Sequence, residues 1–294
     1  EKSDVDKERQ VELIREIIKG MAAEVPRLPA LSKPTLTNDK LCNVYTFTDY
    51  HMGMLATYAG QEWNIPIAED LMVRCFEAMV AQSPKASHCI IANIGDFLHS
   101  DSLENVTPMH KNVLQQDGRY SDIVSATVRV FRALVDYALQ HHDTVHLVMA
   151  EGNHDLIGGG VWLSTLFNAL YENEPRITVD TGQIPYYAYK FGKVMLAWHH
   201  GHRMPMERLP LFFATEFSEM WGSTSHRFAH TGHKHHKHIK EFSGMEVEQH
   251  QTLASKDQHA VDGGYSAKRA TNSICYHREY GEAFKFNITP EMVR

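Results

Sequence analysis

Residues 144–155 read TVHLVMAEGNHD, an apolar run of strand length that ends in a glycine and three polar, metal-capable side chains. Its length and the turn residues that bound it predict a buried strand over 144–150, with Asn153, His154 and Asp155 in the turn beyond. The same pattern recurs four more times. LCNVYTFT (41–48) leads into Asp49-Tyr50-His51, and HCIIANI (88–94) into Gly95-Asp96. KVMLAW (193–198) leads into His199-His200-Gly201-His202, and RFAHT (227–231) into Gly232-His233-Lys234-His235. In open α/β sheets, ligands bind beyond the carboxyl ends of strands. Five such ends can supply one site.

Between these strands the periodicity is helical, over 67–82, 120–142, 160–173 and 207–221. Further strands are predicted over 185–190, 193–199, 226–231, 236–242, 245–251, 273–278 and 283–288. The middle of the chain has the alternation of βαβ units, and its tail that of antiparallel strands. Residues 4–24 form an amphipathic helix with Val11, Leu13, Ile14, Ile17, Ile18 and Met21 on one face. A connector with Pro26, Pro29 and Pro34 follows. Residues 1–40 are thus a helix and linker, either a strap on the domain or the end of an upstream module, and 41–294 one domain. The start at Glu1 rather than Met reads as a trimmed or processed end.

Composition narrows the function classes. Of 294 residues, 43% are hydrophobic and 22% charged, which excludes a disordered or fibrous chain. The net charge of −7 argues against a basic surface that coats DNA, although bound cations would reverse the local sign. No run reaches the roughly 18–20 apolar residues that a membrane helix needs. Cys42, Cys75, Cys89 and Cys275 are scattered, without a CxxC pair, which points to a reducing, cytoplasmic setting. The outlier is histidine, with 20 copies, the commonest metal ligand.

In Asp49-x-His51 and His233-x-His235, alternate residues of an extended segment point the same way and can converge on one centre. Hard oxygens (Asp49, Asp96, the Asn153 carbonyl) mixed with imidazole suit Mn, Fe or Zn better than Ca or Mg alone. No G-x-x-x-x-G-K-[ST] or G-x-G-x-x-G motif is present. The Gly158–Gly160 run reads as a flexible hinge. The polar segment 97–118 begins at Asp96 and should border the cleft, either with substrate contacts from His99, Asp101, His110 and Lys111 and the following Arg119, or as a solvated lid. Residues 255–270, with Tyr265, Lys268 and Arg269, could stack a base and hold a phosphate, or form a surface loop.

The ordered set DxH, GD, GNHD, H and GHxH, carried by residues 44–236, resembles the calcineurin-like metallophosphoesterases. GDFLHSD, AEGNHD, HHGH and the C-terminal YHREYGE with ITPEMV are similar to phage-encoded members of that family. The resemblance implies a four-layer α-β-β-α sandwich of two mixed sheets. It implies one divalent metal on Asp49, His51 and His235, a second on Asn153, His200 and His233, and Asp96 between them, with Mn favoured over Fe or Zn. The resemblance points to His200, which precedes a glycine, over its neighbour His199. His154 would face the scissile phosphate with Asp155 orienting its ring, and His202 would touch substrate or support a ligand. The activity implied is phosphate-ester hydrolysis by a hydroxide bridging the metals. The expected substrate is a phosphodiester, in single-stranded DNA or a nucleotide, with Lys234, Lys237, Lys240, Lys268 and Arg269 as a local basic patch. A phosphomonoesterase or a catalytically silent binding protein of the same fold is the alternative.

Overall fold

The computed structural model describes residues 2–22, 32–58, 61–100, 106, 113–155, 159–182, 184–256 and 267–293. Alternation along β1 (Asn38–Phe47) generates the layers. Tyr45 and Phe47 face one side and Cys42 and Val44 the other, and all four are buried. A strand apolar on both faces must be covered on both.

β1 lies parallel to β4 (Ala86–Asn93), β4 to β5 (Thr144–Met149), and β5 to β6 (Ile177–Val179). On its other edge β1 pairs antiparallel with β12 (Thr271–His277), which pairs antiparallel with β13 (Gly281–Ile288). The second sheet has the order β10 (His238–Phe242), β11 (Met245–Gln249), β9 (His226–Thr231), β8 (Val194–Trp198), β7 (Tyr187–Phe191). It is parallel at β11–β9–β8 and antiparallel at both edges.

Three apolar layers separate four layers of structure. Phe76 of α2 (Ile65–Gln82), Phe131 of α3 (Tyr120–His141) and Phe167 of α4 (Gly159–Leu170) cover the outer face of the first sheet. Between the sheets, Val44, Ile90 and Val148 share a core with Val194, Leu196 and Trp198. Beyond the second sheet, Met195, Ala197 and Val247 pack with Leu209 and Phe213 of α5 (Leu209–Glu216), with Trp221 of α6 (Ser218–Ser223) at the margin. The fold is the expected α-β-β-α sandwich of two mixed sheets. Among the described residues, no helix is long and apolar enough to cross a membrane.

The helix expected over 207–221 is divided. Phe217 leaves the helical region (φ −115°, ψ 39°) and separates α5 from α6. The strand expected from 236 starts at His238. The hairpin of β2 (Ala56–Tyr58) and β3 (Gln61–Trp63), like β6, has three residues per strand, too few to display a period. Gly159 and Gly160 are no hinge: they begin α4, and a Cβ on Gly160 would lie 2.8 Å from the Glu151 amide nitrogen, so this glycine permits close helix–strand packing.

α1 (Lys2–Ala22) lies on α3. Leu13, Ile17 and Met21 pack on the first core, whereas Val11, Ile14 and Ile18 are exposed, so only half of the apolar stripe is covered. Gly20 makes the approach possible. Its carbonyl accepts from Ser125 Oγ (3.0 Å), and a Cβ there would lie 2.7 Å from that of Val124. Gly20→Val should therefore accelerate amide exchange across α1 while β1 and β4 stay protected, as read by hydrogen-exchange mass spectrometry. Unchanged protection in α1 would show that the contact does not hold it.

Candidate metal centre

β1, β4 and β5 run parallel in one sheet and β8 and β9 in the other, and the ligand-rich segments follow their carboxyl ends. The segments are stitched by backbone hydrogen bonds. Asp49 N–H donates to the Gly95 carbonyl (3.0 Å), His51 N–H to that of Asp96 (3.1 Å), and Gly232 N–H to that of His200 (2.8 Å). Among the described residues, five non-glycine residues adopt left-handed backbone: Asp49 (φ 52°), His51 (52°), Asp96 (53°), His233 (72°) and His235 (56°). This conformation costs roughly 1–2 kcal/mol for an L-residue, and it persists where the surroundings over-determine it, characteristically at functional sites. Two glycines admit the carboxylates. A Cβ on Gly152 would lie 2.0 Å from Asp96 Oδ1, and one on Gly232 1.8 Å from Thr48 Oγ1 and 2.6 Å from Asp49 Oδ2.

Asp49, His51 and His235 form one potential ligand group, each offering an atom within 4.8 Å of the others. Asp49 Oδ2 accepts from Thr48 Oγ1 (2.6 Å) and from His233 N–H (2.8 Å). That leaves Oδ1 facing His235 Nε2 at 3.1 Å, without a hydrogen bond. His51 Nδ1 is likewise buried and unpartnered. Asp96, His200 and His233 form a second group beside the first. His200 Nδ1–H donates to the Ile94 carbonyl (2.9 Å), which fixes the tautomer and turns Nε2 inward. Nε2 then meets Asp96 Oδ2 (3.1 Å), Asn153 Oδ1 (3.2 Å) and Asp49 Oδ1 (3.8 Å). Three oxygens around one nitrogen require a positive charge there, a proton or a cation.

The electrostatics agree. Burial opposes charge on both carboxylates, but His235 and His200 hold Asp49, and His200 and His154 hold Asp96, below the ordinary range. Burial likewise opposes charge on His200, but Asp96 and Asp49 push it up to about 10. His235 is raised by Asp49 against its burial. His51 and His233 are lowered, first by burial and then by neighbouring histidines, and so are poised as neutral donors. Orphaned buried donor atoms and a mixed oxygen–imidazole donor set fit divalent transition-metal ions.

His154 is half-buried, with its ring centroid 4.7 Å from that of His51. The partner recorded for its ring nitrogen is the His99 carbonyl, which accepts from Nδ1–H (2.9 Å). Asp155 Oδ1 accepts from Gly152 N–H and so closes the turn below. His99 is brought into the cluster, its ring 5.5 Å from that of His51, and burial followed by His154 lowers it to about 3. His202 also joins, 5.2 Å from the His200 ring, and accepts from Arg203 Nε (3.0 Å). His199 instead stacks on Tyr186 at 4.5 Å.

Other candidates are held elsewhere. Arg119 begins α3 beside Glu16 of α1. The Arg269 guanidinium lies over the Trp63 ring (5.2 Å), and its Nε donates to the Leu253 carbonyl. Lys234, Lys237, Lys240 and Lys268 are exposed. Asp101, His110, Lys111 and Tyr265 lie outside the described residues. The sequence reading missed Thr252, whose Oγ1 donates to the Asp49 carbonyl (2.6 Å), and the Arg203–Glu151 ion pair (2.6 Å) beside the cluster. Thr252 stands 203 residues from Asp49, and no spacing signal links them.

No family model matches the chain, and no curated protein matches it in sequence. Solved structures do. An archaeal phosphodiesterase is 11% identical, with 84% of this chain and 99% of that one covered, at a TM-score of 0.43. Vacuolar protein sorting 29 from Cryptosporidium parvum is 11% identical over 85% and 100%, at 0.41. A predicted phosphoesterase from Streptococcus pneumoniae TIGR4 is 8% identical over 84% and 98%, at 0.36. Similarity at this level assigns no residue a role.

Two outcomes follow from the geometry. Gly152→Ala and Gly232→Ala should each abolish tight Mn²⁺ binding in calorimetric titration, whereas Gly222→Ala, with open space at its Cβ, should not. Equal binding by all three would show that the carboxylates are not clamped. In metal-free protein, the raised His200 contributes stability that is complete below about pH 6.5 and lost as pH rises through about 10. The melting temperature in chelator should therefore fall across that window, and saturating metal, which replaces the proton, should flatten the curve. Parallel curves with and without metal would contradict the assignment.

Proposed function

We propose that the protein is a phosphoesterase that uses two divalent ions, with Mn favoured, and that it acts on phosphodiesters in nucleic acid or nucleotides. The observation that carries this reading is the side-by-side placement of two ligand groups, Asp49–His51–His235 and Asp96–His200–His233. In this reading Asn153, whose Oδ1 lies 3.2 Å from His200 Nε2, completes the second group, and Asp96 would serve both ions. Bound there, the ions supply the Lewis acidity and acidified water that ester hydrolysis needs.

The chain's own residues do the rest. Because the His99 carbonyl can only accept, His154 keeps its Nδ1 proton in either charge state. When the ring is cationic, Nε2 carries the second proton, which can pass to the leaving oxygen. The His51 and His99 rings pack beside it, 4.7 and 5.9 Å away, and with the His99 carbonyl they fix the direction from which this proton is delivered. A diester is favoured over a monoester by charge. Arg203 is paired with Glu151, which leaves little uncompensated side-chain charge to match the second negative charge of a monoester dianion. The overall charge of −7 means that a polyanion must be guided by a local patch, for which exposed Lys234, Lys237 and Lys268 are the candidates.

With Mn²⁺, bis(p-nitrophenyl) phosphate should turn over faster than p-nitrophenyl phosphate, and Asp96→Asn should remove both activities. His154→Asn should retain its metal and lose about 10²–10⁴-fold on diesters with poor leaving groups, with a much smaller loss on the nitrophenyl diester. Equal losses would restrict His154 to positioning. Labelled single-stranded oligonucleotides, with Asp49→Ala as the contamination control, test the substrate class. Hydrolysis of mononucleotide diesters without oligonucleotide cleavage would restrict it to small nucleotides. Absence of all turnover in metal-loaded protein would leave a binding protein.

A further inference from the structure

A further group of potential ligands lies outside the cleft. His230 of β9, Glu248 of β11 and His250 just beyond it meet in the core, each offering an atom within 4.8 Å of the others, and all three are at most 2% exposed. We propose that these residues hold a structural transition-metal ion, Zn²⁺ by donor chemistry, that cross-links β9 to the end of β11 on the face that meets the first sheet and is separate from the ions of the cleft.

The outer nitrogens of both histidines are already engaged. His230 Nε2 lies 3.1 Å from Tyr276 Oη, and His250 Nδ1 lies 2.9 Å from the side-chain amide of Asn272. Such contacts fix tautomers in the way that partners of metal-bound histidines do. The inner nitrogens, His230 Nδ1 and His250 Nε2, face each other at 2.9 Å. A tetrahedral ion with Zn–N of about 2.0–2.1 Å spaces its nitrogens about 3.3 Å apart, so a few tenths of an ångström admits it.

Two buried atoms have no hydrogen-bond partner here, Glu248 Oε1 and Asn272 Oδ1. With the Asn272 amide turned over, Oδ1 accepts from His250 Nδ1–H whether a proton or an ion lies between the facing nitrogens. A proton there leaves Glu248 Oε1 without a partner, and an ion supplies one. Glu248 Oε1 lies 4.0 Å from His250 Nδ1, and as third ligand it would swing toward the gap between the facing nitrogens. With Nε2 on the metal, His250 must carry its proton on Nδ1, and turning the Asn272 amide over lets Oδ1 accept it. Glu248 Oε2 remains bonded to Lys285. The local charge accommodates a cation. Glu246, Glu248 and Glu282 surround Lys285, with Lys237 further out.

The strands involved give the ion its role. β9 and β11 belong to the second sheet, and Asn272, Tyr276 and Lys285 to β12 and β13 of the first. His250 N–H donates to the Thr231 carbonyl (2.8 Å), one residue before Gly232. The ion would sit where the sheets meet, beneath the His233–His235 segment.

The test is a zinc count by elemental analysis on protein expressed with zinc and purified without chelator. It compares wild type and the cleft variant Asp49→Ala/Asp96→Asn, each with and without His230→Gln or Glu248→Gln. Both added substitutions should remove one equivalent per chain in either background, so zinc on the cleft ligands or on the exposed histidines cancels in the comparison. X-ray absorption at the zinc edge of the cleft variant should lose its imidazole scattering with His230→Gln. Glu248→Gln keeps the side-chain volume and a partner for Lys285, and circular dichroism confirms its fold. An unchanged zinc count in folded Glu248→Gln protein overturns the assignment. The result is independent of hydrolysis, so an inactive enzyme with this zinc intact would overturn only the activity proposed above.

Discussion

Asp49 and Asp96 are stripped of water side by side, at 0% and 1% exposure. Two ionised carboxylates in that position lose their hydration and repel each other, and the arrangement is tolerable only with positive charge and donors packed around them. The surroundings answer that demand. His200 and His235 approach as cations, the amides of His154 and His233 donate to carboxylate oxygens, and Thr48 supplies a hydroxyl. Ions in the cleft would meet the same demand without protonating the histidines, so metal affinity and proton affinity at this site oppose each other.

The left-handed backbone at Asp49, His51, Asp96, His233 and His235 follows from the same demand. Extended chain would already put Asp49 with His51, and His233 with His235, on one face. The left-handed residues instead turn each segment sharply at the strand end, so that donors from different strands meet. The local cost is borne by two large cores and by the interstrand hydrogen bonds that fix each turn. Gly152 and Gly232 matter for what they lack: each leaves the room that a carboxylate or its hydroxyl partner occupies.

The strands and helices were legible in the sequence because the central strands are apolar runs and the helices have a strong period, whereas the division into two sheets came only with the family resemblance. The ligand clusters were legible because each is local, with a fixed spacing behind a strand. What escaped the reading is nonlocal or short. Thr252 supports Asp49 through the fold alone, and the His230–Glu248–His250 group draws on strands with no common motif. The three-residue strands carry no period. α1 shows the limit of periodicity itself, since one wide apolar stripe contains Leu13 and Ile17 against the core and Ile14 and Ile18 in solvent. The adjacent pair His199–His200 likewise became distinct only in three dimensions, where one ring stacks on Tyr186 and the other meets Asp96.

The carboxylates of the first sheet also grip the second. Asp49 Oδ2 holds the amide of His233, and Asp96 Oδ2 meets His200. At this end the sandwich is closed by polar contacts, whereas between the strands it is closed by Val44, Ile90, Leu196 and Trp198. The two closures belong to different thermodynamic classes. Separating the apolar faces exposes hydrocarbon to water and raises the heat capacity steeply, whereas parting the polar end exposes polar groups and lowers it modestly. The closure at the polar end therefore answers to the ionic composition of the solution, and that between the strands to temperature.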